Sequence, residues 1–165
     1  MKNILITTLL TFLILSSCKE PKEATEPSQV GTTEKWMLDF KKTNINPIMT
    51  ADSTYVFNDP VSNTAVKWQK ADVFNPGAIV RNDTVFVLFR AEDNPEAILG
   101  GRTSRIGLAY STDGINFTKH PQPVLYPDND EYSQWDQPGG IEDPRIVETP
   151  DGEYIMLYTS WNNDI

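Results

Sequence analysis

The chain has 165 residues and a net charge of -9 from 14 basic and 23 acidic side chains, with one Cys and one His. A nucleic-acid surface needs clustered Lys and Arg, which this balance does not offer. One Cys excludes an internal disulfide, and one Cys with one His excludes a four-ligand Cys/His zinc site, so the fold must rest on its core.

The first eighteen residues, MKNILITTLLTFLILSSC, have a basic start, an apolar run over 4–15 and a small-residue exit. That pattern predicts a signal peptide over 1–18, because the run is too short to span a bilayer comfortably. Its ending, Leu15-Ser16-Ser17-Cys18, resembles the bacterial lipobox, which makes Cys18 the expected lipidation site and membrane anchor. The alternative is an ordinary secretory signal with an incidental Cys. The first reading describes an exported bacterial lipoprotein at the periplasmic or cell-surface face of the outer membrane. Residues 19–35 are rich in Glu, Lys, Pro, Ser and Thr with little to bury, and read as a flexible tether. Globular character covers 36–165, with 36–70 expected as loops and short strands leading into the first regular sheet.

Beyond Lys70, apolar and β-branched runs of four to six residues alternate with turn signals at Asn82-Asp83, Asp113-Gly114 and Asp151-Gly152. The spacing predicts one hairpin from 78–81 and 85–90, and a second from 106–111 and 116–119. The second closes through STDGINF, which resembles the Asp-box-type hairpins found in sugar-cleaving propellers. A repeat is visible: NPGAIV at 75–80 matches EDPRIV at 142–147, aligning Ile79 with Ile146 at an offset of 67 residues. The intervening loop is 121–140. The expected class is all-β, as a β-propeller with one complete four-stranded blade and the first hairpin of the next. An antiparallel sandwich is the alternative. A closed ring needs more blades, so the chain is expected to be a truncated piece of about one and a half blades, with an uncovered sheet edge prone to aggregation.

Cleaving a glycosidic bond takes a carboxylic acid for the leaving oxygen and a nucleophile on the opposite sugar face. The stretch GGIEDPR, 139–145, presents Asp143 at a strand start, with glycines for close backbone approach and Arg145 two residues on. The repeat puts Asn75 and Glu142-Asp143 at equivalent strand starts, aimed at one channel. Solvated acids in a turn, with Arg145 paired to a neighbour, are the alternative. Arg90 ends the apolar strand Val85-Phe86-Val87-Leu88-Phe89 and needs an anionic or hydroxylated partner; sugar, or Glu92 or Asp93, would serve. His120 reads as a loop residue. Asp128, Asn129, Asp130 and Glu131 read as an exposed acidic loop, not a calcium site, and no metal is expected. Tyr132, Trp135 and Trp161 are candidates for stacking on sugar rings or for ordinary packing.

Together FNPGAI, LFRAED, GRTSRIGLAYSTDGINFTKHPQPVLYP and GGIEDPRIV resemble, in order and spacing, the amino-terminal half of glycoside hydrolase family 130, over about 46–160. The resemblance implies a five-bladed propeller that cleaves β-mannosides with inversion, by phosphorolysis or hydrolysis. It implies Asp143 as general acid, in phosphorylases passing its proton through a mannose hydroxyl. It further implies Asn75 and Arg90 in the mannose subsite, with Arg105 and Arg145 near it. Inorganic phosphate would be a co-substrate of a phosphorylase; no other cofactor is implied. An exported enzyme meets little phosphate, which favours hydrolysis. A surface lipoprotein that binds glycans without cleaving them is the rival reading, and another five-bladed hydrolase acting on furanosides is a third.

Overall fold

Strand alternation in this chain sorts its apolar residues onto two faces, and the two faces have different fates. The computed structural model describes residues 41–98 and 101–162, so the expected signal peptide, Cys18 and the tether lie outside the described residues. The described residues are all-β in class, with strands β1 (Phe57–Asp59), β2 (Thr64–Val66), β3 (Asp72–Arg81), β4 (Thr84–Glu92), β5 (Ser104–Ser111), β6 (Thr118–Lys119), β7 (Gly140–Glu148) and β8 (Tyr154–Trp161). One four-residue helix, α1 (Ser133–Asp136), interrupts the loop before β7. Strands β3 to β6 form an antiparallel meander, and β7 and β8 form a second hairpin. The two are joined where Ser104 of β5 pairs in parallel with Gly140 of β7.

On one face, Val87, Phe89 and Ala91 of β4 and Ala109 of β5 pack with Phe57 and Trp68, all buried. The Phe89 ring stacks on Trp68 with centroids 6.3 Å apart. Its cross-strand partner is Gly107, where an added Cβ would lie 2.3 Å from the Phe89 ring. Burying the larger of these side chains contributes roughly 1.5–3 kcal/mol each, so this face is a main source of the meander's stability. On the other face Ile79, Phe86, Leu88, Leu108, Ile146 and Tyr154 line an apolar cavity of about 230 Å³. Arg90 and Glu92 continue the Phe86-Leu88 row by the same alternation.

The turns follow their chemistry. Asn82 and Asp83 both take positive φ, 49° and 56°, as a tight hairpin between right-twisted strands requires. Asp113 accepts the backbone N–H groups of Ile115 and Asn116, each at 2.8 Å, and the Asn116 amide at 2.7 Å. These bonds hold its carboxyl well below the usual carboxylate range. They also draw Asn116 into the turn, so the strand expected over 116–119 is confined to Thr118–Lys119.

The repeat is real but its register is one residue away from the expected one. Both β3 and β7 bulge, between Phe74 and Gly77 and between Glu142 and Arg145. Within the bulges Asn75 and Asp143 adopt left-handed backbone, φ 46° and 49°, and each precedes a proline. The equivalent pair is therefore Asn75 with Asp143, 68 residues apart, and not Ile79 with Ile146 at 67. Asn and Asp are the residues that tolerate this conformation best after Gly, and Pro gives up only an N–H that the bulge leaves unpaired.

The glycines before β7 serve close approach. An added Cβ on Gly140, at φ +99°, would sit 2.2 Å from the Ser104 carbonyl oxygen, and one on Gly139 would enter the Trp161 ring. Without side chains at 139 and 140, β7 can start directly beside β5.

Arg105 lies opposite Ala91 across β4 and β5, while Arg90 lies opposite Ile106. Opposed residues share a face and neighbours alternate, so Arg105 points away from Arg90. It is 2% exposed and binds Asp59 at 2.5 Å and Asp93 at 2.9 Å, tying the β1 segment to β5. Burial alone would raise the Asp59 carboxyl; the Ser62 N–H and the Arg105 guanidinium outweigh it and hold the group below its ordinary value. Removing one partner of a buried pair strands the other charge, so Arg105→Ala is expected to lose about 3–5 kcal/mol in denaturant unfolding. A loss below about 1 kcal/mol would show that this pair does not hold the layers together.

Candidate active site

The two bulges bring an amide and a carboxylate face to face. Asn75 Nδ2 donates to Asp143 Oδ1 at 2.8 Å, from β3 to β7. A β-bulge re-aims a side chain out of the regular alternation, and here two equivalent bulges aim at each other. The approach is permitted by Gly77, whose missing Cβ would lie 2.8 Å from the Pro144 carbonyl oxygen.

Arg90, on β4, is the centre of the cluster. Its Nη1 donates to Asp143 Oδ1 at 3.3 Å, and its Nη2 donates to Glu92 Oε1 and Glu142 Oε1, both at 2.6 Å. Its Nε donates to Ser104 Oγ at 3.0 Å. The Phe74 ring lies against the guanidinium, with its centroid 4.7 Å from Cζ, and covers one face of it. An arginine that is only 16% exposed is thus satisfied by three carboxylates and a hydroxyl.

The charge balance around Arg90 is negative. Burial pushes the Glu142 carboxyl above its ordinary value; Arg90 and the Ser104 hydroxyl pull it back, while Asp143 and Glu92 push it further up. Glu142 is therefore the member of this cluster drawn toward the protonated form. Asp143 is about one-third exposed, and among the described residues both bonds it accepts fall on Oδ1. That leaves Oδ2 without a hydrogen bond among the described residues.

Of the residues expected from sequence, Asn75, Arg90 and Asp143 meet in one cluster. Arg105 and Arg145 do not join it. Arg105 is committed to Asp59 and Asp93 on the opposite face of the sheet. Arg145 is exposed, and its Nη1 donates to the Pro144 carbonyl at 3.0 Å. Both departures have one cause, the two-residue period of a strand, which the motif spacing alone does not orient. Glu142, Glu92 and Ser104 also belong to the cluster: the repeat aims Glu142 at the same channel and the sequence makes Glu92 a candidate partner of Arg90, whereas Ser104 carries no signal of its own. The available signal was register, since Ser104 lies directly opposite Glu92 across β4 and β5.

Tyr132 and Trp135 are about half exposed, 55% and 46%, on and beside α1. The acidic loop before them is exposed, as expected, and its carboxylates make local bonds: Asp128 accepts the Asn129 N–H at 2.7 Å and Asp130 that of Tyr132 at 2.9 Å.

Comparisons with known proteins place the chain in a family. A family model described as beta-1,4-mannooligosaccharide phosphorylase matches residues 39–164. A 1,2-beta-oligomannan phosphorylase of Thermoanaerobacter sp. (strain X514) is 40% identical over 98 residues, 59% of this chain and 31% of that protein. A solved glycosyl hydrolase from Bacteroides ovatus is 44% identical with TM-score 0.72, over 75% of this chain and 35% of its own. Another structure, from work on β-1,2-mannoside hydrolases within the mannoside phosphorylase family, is 43% identical with TM-score 0.72, over 75% of this chain and 34% of its own. The chain thus spans about a third of the length of these relatives. With the matched residues holding every member of the Asn75–Arg90–Asp143 cluster, the chain belongs to glycoside hydrolase family 130.

Proposed function

We propose that the protein cleaves β-mannosides with inversion, with Asp143 as general acid and Asn75 and Arg90 as ligands of the mannosyl unit. The observation that carries this reading is the shared oxygen, Asp143 Oδ1, held by both Asn75 and Arg90. A carboxyl group anchored through one oxygen keeps a fixed direction for the other, which general acid catalysis requires. In the reaction Asp143 delivers a proton to the leaving oxygen, directly or through a sugar hydroxyl, and the nucleophile enters from the opposite face of the ring. Arg90 and Asn75, as donors, suit the hydroxyl oxygens of a hexose.

The two curated relatives are both named for β-1,2-linked mannosides, as is one of the structural neighbours. Their names support a β-1,2-mannoside as the substrate class. The acceptor is phosphate in the proteins named phosphorylases, and the export signal read over 1–18 favours water. The same reading includes the five-bladed propeller, with β3 to β6 as one blade and β7 and β8 opening the next, and a lipid anchor at Cys18. The separate β3–β6 meander and β7–β8 hairpin support that arrangement.

Incubating the intact protein with β-1,2-mannobiose, with and without inorganic phosphate, tests the reaction. Mannose 1-phosphate as product assigns phosphate as acceptor and mannose alone assigns water. Binding without either product would instead establish a glycan-binding protein. Asp143→Asn is expected to lower kcat by about 10²–10⁴, the usual contribution of a general acid. Turnover unchanged in that variant would remove Asp143 from the mechanism.

A pH experiment examines the charge balance of the site. The folded protein holds the Glu142 proton more tightly than the unfolded chain, whose ordinary value is 4.5. Glu142 therefore favours folding most below that value, and its contribution is lost as pH rises through the folded value. Unfolding free energies measured across this range should fall more steeply with pH in the wild type than in Glu142→Gln. Parallel curves would contradict the raised carboxyl.

A further inference from the structure

The Arg90 cluster does not end at Glu92. Across β3 and β4, Asp72 lies directly opposite Glu92, so two carboxylates face each other in one cross-strand pair. Like charges in that position destabilise a sheet unless a cation spans them. Arg102 does so: its Nη1 donates to Asp72 Oδ2 at 2.5 Å and to Glu92 Oε2 at 2.8 Å. Its Nε donates to the Ala97 carbonyl at 2.9 Å, which fixes the plane of the guanidinium. Glu92 is buried, and its two oxygens are divided between two arginines, Oε2 to Arg102 and Oε1 to Arg90.

We infer that Arg102 is a positioning residue for the acid: it sets Glu92, Glu92 sets Arg90, and Arg90 sets Asp143. This inference rests on the proposed role of Asp143 as acid. Arg102 touches neither Asp143 nor the sugar-facing groups, so its influence passes through a chain of charge-assisted bonds, Arg102–Glu92–Arg90–Asp143. Such bonds are short and directional, and each constrains the next. The chain also carries charge. Asp72, Glu92, Glu142 and Asp143 contribute four negative groups against the two guanidinium groups of Arg90 and Arg102. Without Arg102 the excess around Arg90 grows, and Glu142 and Asp143 compete with an unneutralised Glu92 for the same guanidinium.

The test is a carboxyl titration by NMR on the intact protein without substrate, with the Glu142 resonance assigned from Glu142→Gln. In Arg102→Gln the Glu142 midpoint should move up by roughly half a pH unit or more, because Glu92, a negative neighbour that already pushes Glu142 up, loses one of its two guanidinium partners. Arg102→Lys, which keeps the charge, should return the midpoint toward the wild-type value. Glu92→Gln breaks the chain from the other side and removes a negative neighbour, so it should move the midpoint down. A midpoint unmoved in folded Arg102→Gln overturns the inference; should that variant not fold, an unmoved midpoint in Glu92→Gln does so. The titration needs no turnover, so absence of mannoside cleavage by the wild type would defeat the proposed function and leave the charge chain standing.

Discussion

A guanidinium drawn out of water between three carboxylates governs how the two hairpins of this chain meet. Arg90 comes from β4, Glu142 and Asp143 from β7, and the bonds between them span 52 and 53 residues of sequence. Desolvating such a group is costly, and the cost is offset only when every donor finds an acceptor in good geometry. Arg90 comes near that condition, with four of its five N–H groups bonded through Nε, Nη1 and Nη2, and the Phe74 ring lies against its face. A cluster of this kind tolerates few alternative arrangements, so it fixes β7 against β4 more sharply than the apolar contacts beside it.

Strain and the candidate site occupy the same two residues. Asn75 and Asp143 hold left-handed backbone in the middle of strands, a conformation that costs about 1–2 kcal/mol for a residue with a side chain. A regular strand would keep the period of two and send these side chains to the wrong faces. The bulges give up ladder hydrogen bonds at both sites and in exchange direct an amide and a carboxylate at each other. That the same device occurs twice, 68 residues apart, ties the internal repeat to the site itself.

The strands after Lys70 were legible because alternation and Asx-Gly or Asn-Asp turns are local signals, and the repeat told where two strand starts would be equivalent. Its register was not, since aligning Ile79 with Ile146 scores well on apolar character, whereas the constraint that decides it is the positive φ before Pro76 and Pro144. Asn75, Arg90 and Asp143 were found through their motifs. Arg105 was misplaced because TSRIG carries no sign of which face its arginine takes; its cross-strand partner Ala91 settles that. Glu92 was legible as a partner of Arg90 two residues away on one strand, whereas Arg102 and Ser104 escaped, as their roles depend on pairing across β3, β4 and β5, which no single segment encodes.

The account joins these levels in one claim: paired bulges and a shared arginine present Asn75, Arg90 and Asp143 to one sugar ring. A crystal structure of the intact protein soaked with β-1,2-mannobiose addresses it most directly. The expected result is a mannosyl ring within hydrogen-bond reach of Asn75 and Arg90, with Asp143 Oδ2 facing the glycosidic oxygen or a hydroxyl beside it. A saccharide seated elsewhere, in contact with none of the three, would contradict the account.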